Sequence, residues 1–287
     1  MLKKIYYKIP SKFQIYLSKL ASKFISSPEE NFLKSTIGNK HGLTINDKLL
    51  IIKKLKYSLV NVESATDLNA HILIMSKVLE LNKAKNCNTS TVVECGTFKG
   101  ATAIALSIAC KITNRKLIIY DSFKGLPNSE RDIGKRSYPH LKFTGYYSKG
   151  MYSGSLEEVK KNINIYGDLS VCEFRKGFFS KTLPKHKEKI DFLFLDVDLV
   201  SSTKDCIKYL WPYLSNNSYA FTDDACDMDV VKVWFDKEWW KKNLRLEAPG
   251  FIGSGCGLPI NLNSFSSLGY IIKNPDKSSY SKISWLK

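Results

Sequence analysis

A chain of 287 residues, 44% hydrophobic and 25% charged, has apolar mass enough for a sizeable core and is neither disordered nor fibrous in composition. No apolar run reaches the roughly 20 residues that a membrane-spanning helix needs. The net charge of +17 raises the question of an acidic partner, and the seven cysteines contain no CxxC pair, so neither a disulfide framework nor a zinc site is indicated.

In chain order, residues 1–27 hold six lysines and no acid, with Phe13, Leu17, Leu20 and Phe24 on one helical face. A basic amphipathic helix of this kind either docks with a solvated lysine face or lies on an anionic membrane surface. The segment lacks the uninterrupted apolar core of a secretory signal. Cys95, Cys110 and Cys206 lie in apolar or helical surroundings and read as small core residues. Both features point to the cytoplasm, with peripheral contact at the inner membrane face as the option left by the lysines. No motif that reads DNA or RNA is present, so nucleic acid is not an expected partner. Residues 1–85 are predicted to form an N-terminal helical cap, and residues 86–287 the main domain.

From about residue 90, short β-branched runs alternate with helical stretches. "TVVEC" (91–95) leads into "ATAIALSIACKI", and "KLIIYD" (116–121) into a long polar segment ending near residue 154. Ser155 with Glu158 three residues on is a capping-box signature for the next helix. "SVCEFR" (170–175), "IDFLFLD" (190–196) and "SYAFTDD" (218–224) follow, with a helix around "STKDCIKYLWPYL". The last helix is predicted over "DMDVVKVWFDKEWWKKN", before strand-like runs that include "LGYIIK". Alternation of this sort predicts an α/β fold: a Rossmann-like, doubly wound, mostly parallel sheet with helices on both faces. Ligands of such sheets sit outside the carboxyl ends of the strands, so the residue ending each strand is the one to examine.

The first strand ends in "ECGTFKG". Gly96 and Gly100 let the chain turn sharply and bring backbone N–H groups to a ligand at the next helix's start. The spacing is GxxxG, so the dinucleotide fingerprint GxGxxG is absent. Glu94 suits an amine rather than a phosphate. The second strand ends in Asp121, placed to accept hydrogen bonds from a ribose diol. Together these favour S-adenosyl-L-methionine over a nicotinamide. The expected donor-binding set is Glu94, Gly96, Thr97, Gly100, Asp121, Ser122, Gly177 and Phe178, with Phe178 or Phe179 against the adenine.

Asp196 ends the fourth strand with Asp198 two residues on, and the fifth ends in Asp223 and Asp224. Adjacent strands bring these carboxylates to one rim, where like charges raise one another's pKa unless a cation neutralises them. Oxygen donors without His or Cys argue for Mg²⁺. Among the remaining segments, "KFTGYYSKGMYSGS" (142–155), with Tyr146, Tyr147 and Tyr152, suits either a sugar-stacking lid or a plain surface loop. The glycines of "PGFIGSGCGLP" (249–259) read as a turn between terminal strands. His41, His71, His140 and His186 form no local ligand pattern.

Through "VVECGTFKGATA", "YDSFKGLP", "FFSKTLP", "LFLDVDLVSSTKDCIKYLWPYL" and "AFTDDACD", the sequence resembles the macrocin O-methyltransferase family, which methylates sugar hydroxyls in macrolide and aminocoumarin antibiotics. The resemblance covers roughly residues 90–240. It implies a class I S-adenosylmethionine fold and metal-dependent methyl transfer to a hydroxyl. By motif it implies Asp196, Asp223 and Asp224 as metal ligands, Asp196 or Asp198 as general base, and Asp121 on the ribose. It further implies Glu94, Gly96 and Gly100 around the methionine part of the donor, and a homo-oligomer. The implied acceptor is a sugar hydroxyl in a glycan, a glycolipid or a secondary metabolite. Two rivals remain at this level: a nicotinamide-dependent sugar oxidoreductase, which the missing GxGxxG and the missing Tyr-x-x-x-Lys dyad disfavour, and a non-catalytic donor-binding protein of the same fold.

Overall fold

The computed structural model describes residues 28–87, 90–127, 135–138, 143–225, 227–250 and 268–275. The basic segment 1–27, with its expected amphipathic helix and membrane contact, lies outside the described residues, as do most of the glycine-rich run at 249–259 and His140.

All five runs expected as parallel strands form. They are β1 (Thr91–Cys95), β2 (Lys116–Asp121), β5 (Cys172–Lys176), β6 (Ile190–Leu195) and β7 (Leu214–Thr222). A short antiparallel hairpin, β3 (Lys135–Tyr138) with β4 (Phe143–Tyr146), sits inside the polar insertion, which showed no strand pattern in sequence. The terminal run expected around "LGYIIK" is β8 (Gly269–Ile272). The main sheet has the order β5–β2–β1–β6–β7–β8, with every pair parallel except β7 with β8. The chain runs from β1 to β2 in one direction and resumes with β6 on the other side. That reversal between β1 and β6 is where a ligand crevice opens in such sheets.

The helices are α1 (Pro28–Lys34), α2 (Ile45–Asn61), α3 (Leu68–Leu79), α4 (Ala101–Thr113), α5 (Leu156–Tyr166), α6 (Phe179–Thr182), α7 (Val200–Leu210), α8 (Met228–Val233) and α9 (Lys237–Leu244). Successive strand residues point to opposite faces, and the core divides accordingly. Val92, Leu117, Phe192 and Phe221 pack with α2, α3 and α4 on one face. Val93, Ile118, Leu193 and Leu195 pack with Ile207, Leu210, Trp211, Trp234 and Trp240 on the other. α4 is buried nearly all round, as its continuous apolar run requires. The N-terminal helices are therefore a layer of the main core: Leu55, Met75 and Leu79 are fully buried in the same cluster as the strands.

Two helix boundaries differ from expectation. α7 stops at Leu210 and tightens into a 3-10 turn, Trp211–Tyr213, because Pro212 cannot continue the ladder. The single long helix expected over 227–243 is two. Asp236 caps α9 by accepting the Trp239 N–H at 3.0 Å, and the Trp240 indole donates to the Val233 carbonyl at 2.8 Å, closing α8. Ser155 caps α5 as expected, accepting the Glu158 N–H at 3.1 Å.

The sheet register sets the site. Cys95 lies beside Tyr120 and Leu195, and Leu195 beside Thr222, so the four central strands end level. The ladder then extends one residue further: Gly96 N–H donates to Tyr120 O, Asp196 N–H to Cys95 O, and Asp223 N–H to Leu195 O, at 2.9, 3.0 and 2.9 Å. Gly96, Asp121, Asp196 and Asp223 thus stand in a row at the carboxyl edge.

Candidate active site

A cavity of about 600 Å³ opens over this row. Its floor includes Gly96, Thr97, Asp121, Asp196, Asp198 and Asp223; Ser122, Gly177 and Phe178 stand at its side. Six of the eight residues expected to bind a donor therefore face one space, together with three of the four expected acidic residues.

The turn after β1 is shaped by close approach. Gly96 has φ +80°, and a Cβ there would sit 1.8 Å from the Asp196 carbonyl oxygen. Only a residue without a side chain lets β1 and β6 end this close together. Asp121 braces the same turn, accepting the Thr97 N–H at 2.8 Å and the Phe123 N–H at 2.6 Å. Burial pushes the Asp121 carboxyl up, opposed by those backbone donors. Gly177 N–H donates to the Asp121 carbonyl at 2.8 Å and so brings Phe178, an exposed ring, to the cavity rim.

Glu94 and Gly100 stand off the cavity wall. Glu94 is fully buried below the turn, where Oε2 accepts the Thr97 hydroxyl at 3.2 Å and Oε1 has no hydrogen-bond partner among the described residues. Burial, and then the charge of Asp121, hold its carboxyl well above the usual carboxylate range. Gly100 begins α4 with φ +90° and faces α5, where a Cβ would meet Val159 at 3.1 Å. Its place in the fold is a packing one.

The acidic residues divide by strand alternation. Asp196, Asp198 and Asp223 face the cavity. Asp224 is fully buried and turned away: its Oδ2 accepts the N–H groups of Val197 and Asp198 at 3.1 and 3.0 Å. Enclosure, and then repulsion from Asp223, Asp224 and Asp198, push the Asp196 carboxyl well above its ordinary range. Among the described residues no three such groups converge into a ready metal cage. In kind the donors fit a hard cation, being carboxylates only, and the surplus of negative charge at Asp196 is what a dication would relieve.

Several wall residues lie away from the strand ends that the sequence marks. The loop between α2 and α3 (Glu63 to Thr66) closes one side, and Glu63 is tied to Lys99 at 2.7 Å. Gly125, Leu126 and Pro127 and the α7 residues Ser201, Ser202 and Asp205 complete the wall. Both latter groups fall inside the family motifs "YDSFKGLP" (120–127) and "LVSSTKDC" (199–206), the signal in the sequence that points to them. Tyr152 reaches the cavity from the insertion and meets Phe98 edge-on at 5.8 Å. Phe98, Tyr152 and Asp198, all on the wall, have left-handed backbones with φ of 48°, 54° and 60°. Local strain of this kind concentrates at functional sites. Tyr147 lies beneath Tyr152, and none of His41, His71 and His186 lines the cavity.

Sheet order, reversal point and strand-end cavity define the class I methyltransferase fold. A solved structure with that fold, the O-methyltransferase NovP, is 20% identical, superposes with a TM-score of 0.54, and covers 78% of this chain and 96% of its own. The profile of the macrocin-O-methyltransferase (TylF) family matches residues 76–249, more than half the sequence, and the chain belongs to that family. Similar proteins include the demethyldecarbamoylnovobiocin O-methyltransferase of Streptomyces niveus, 29% identical over 170 residues, 54% of this chain and 63% of that one. Another is the 8-demethyl-8-(2,3-dimethoxy-alpha-L-rhamnosyl)-tetracenomycin-C 4'-O-methyltransferase of Streptomyces olivaceus, 30% identical over 139 residues, 46% of this chain and 52% of that one. The matches thus span less than two thirds of these relatives' length.

Proposed function

We propose that this chain is an S-adenosylmethionine-dependent O-methyltransferase that methylates a sugar hydroxyl with the help of Mg²⁺. One observation carries the reading: a single cavity holds the glycine turn and Asp121 of a nucleoside site side by side with Asp196, Asp198 and Asp223. Family membership and the printed activities of the Streptomyces relatives, one of them on a rhamnosyl group, support it.

Bound there, the donor supplies an electrophilic methyl group, and the metal supplies Lewis acidity toward the acceptor hydroxyl. This chain's residues do the rest. Asp121 holds the ribose diol, and the Gly96–Thr97 backbone lets the methionine portion approach. Asp196 and Asp223 are the residues that would hold the metal. Asp198 or Asp196 takes the acceptor's proton, and the walls exclude water. Positioning of this sort supplies much of the rate gain in a displacement at carbon.

The test is calorimetry on metal-stripped protein. S-adenosylmethionine is expected to bind and NAD⁺ not to bind. Mg²⁺ is expected to give a separate heat that Asp223→Asn abolishes. Failure to bind the donor overturns the reading; donor binding with no Mg²⁺ heat removes the metal from it.

A further inference from the structure

Asp198, Ser201, Ser202 and Asp205 recur at helical spacing i, i+3, i+4, i+7 and all four line the cavity. One polar stripe of α7 and the turn before it therefore faces the space above the strand ends. The aromatic residues Phe178, Phe179 and Tyr152 line the same cavity. Hydroxyls, carboxylates and rings in one lining are what a polyhydroxylated ring requires: hydrogen-bond partners for its edge and apolar cover for its faces.

The charge on the wall narrows the choice. Among the described residues, six carboxylates line the cavity (Glu63, Asp121, Asp196, Asp198, Asp205 and Asp223) against one cation, Lys181. Lys99 offsets Glu63 from outside. A divalent ion and a singly cationic donor would still leave the described wall without positive excess. A phosphate placed there meets repulsion and, among the described residues, one lysine.

Asp205 differs from the other acids on the wall. Glu63 is paired with Lys99, Asp121 is braced by backbone N–H groups, and Asp196 and Asp223 stand in the donor and metal row. Asp205, half-buried on α7 one turn beyond Ser201 and Ser202, accepts no hydrogen bond from the described residues, and only Lys208 lends it charge. A partly enclosed carboxylate keeps its hydration poorly and gains from two hydroxyl donors held together.

We propose that the Ser201–Ser202–Asp205 face of α7 is the acceptor subsite, and that it selects an uncharged sugar, a glycoside rather than a phosphate-linked sugar, with Asp205 gripping two neighbouring hydroxyls. This rests on the methyltransferase reading above.

The experiment uses the full chain with Mg²⁺ and S-adenosylhomocysteine. Affinities for methyl α-L-rhamnopyranoside and dTDP-L-rhamnose are measured by saturation-transfer NMR titration, in wild type and in Asp205→Asn. The expected result is that the uncharged glycoside binds at least as tightly as the diphosphate sugar. Asp205→Asn is expected to weaken glycoside binding about 10-fold or more, with S-adenosylhomocysteine affinity and unfolding midpoint unchanged. The proposal is overturned if the variant binds the glycoside as wild type does, if the diphosphate sugar binds 10-fold tighter, or if S-adenosylhomocysteine binds and the glycoside does not. Wild type that fails to bind S-adenosylhomocysteine overturns the donor reading beneath it, a separate and visible failure.

Discussion

Asp224 holds Asp198 in place without facing the cavity itself: one carboxylate oxygen accepts both the Val197 and the Asp198 N–H groups. Asp198 sits there with φ 60°, a left-handed backbone that a non-glycine residue adopts only when its surroundings impose it. The doubled aspartate thus combines a cavity carboxylate, Asp223, with a brace.

The two roles separate by mutation. Asp224→Ala orphans two buried N–H groups and is expected to cost about 2–4 kcal/mol of stability in urea unfolding, with activity falling as the turn relaxes. Asp198→Gly relieves the backbone and is expected to keep or raise stability by up to about 1 kcal/mol while methyl transfer collapses. A fully active Asp198→Gly protein removes Asp198 from the chemistry.

Gly96→Ala is expected to drive a methyl into the Asp196 carbonyl and prise β1 from β6. The loss should exceed about 3 kcal/mol, and donor affinity should go with it. Gly150 provides the control: it also has positive φ, +84°, but nothing lies within 4 Å of a Cβ there. Gly150→Ala should cost only about 1 kcal/mol. Equal costs at the two glycines, read from urea midpoints, would show that strain and not the β1–β6 approach governs Gly96.

His71 is fully buried and bonded through Nε2 to the Thr66 hydroxyl at 2.6 Å, and burial pushes its ring down to about 4. The unfolded chain takes up this proton near 6.5 and the folded chain does not, so more protons are bound by the unfolded state between those values. Stability therefore falls as pH drops from about 6.5 to 4, by an amount on the order of 3 kcal/mol from this residue. His71→Gln should flatten that part of the curve of unfolding midpoint against pH. A slope identical to wild type would assign it to other groups, His186 among them, whose ring burial also lowers.

Trp240→Phe keeps the ring packed against Trp211 and Trp234 but deletes the donor that caps α8. An expected loss of about 1–2 kcal/mol, with faster amide exchange in α8, follows from the orphaned Val233 carbonyl. Unchanged exchange would mean that the break between α8 and α9 is set by Asp236 alone.

The strand ends were legible because parallel strands buried on both faces read as unbroken apolar runs, and the residue closing each run marks the crevice. Asp121, Asp196 and Asp223 were found that way. Asp224 was not separable from Asp223 by composition; side-chain alternation along the strand turns one toward the ligand and the next into the core. Gly100 looked like a ligand glycine and faces Val159, because a glycine that admits a substrate and one that admits a helix are spelled alike. The Glu63–Thr66 wall left no trace in the sequence: it is polar, short and some 30 residues before β1. The breaks at Pro212 and Asp236 were written in the chain as a proline and a capping acid, masked by the apolar period continuing past them.

The helices that precede β1 share a core with the sheet and, through the loop between α2 and α3, also wall the cavity. An interchangeable lid can drift without unsettling the scaffold beneath it; this segment lacks that freedom. Thr66 of the loop is bonded to the buried His71 and Thr102 at 2.6 and 3.3 Å, so the cavity wall and the core layer answer here to one constraint. On the acceptor subsite proposed above, changes of acceptor are more accessible at Tyr152 and at Ser201, the exposed member of the α7 stripe.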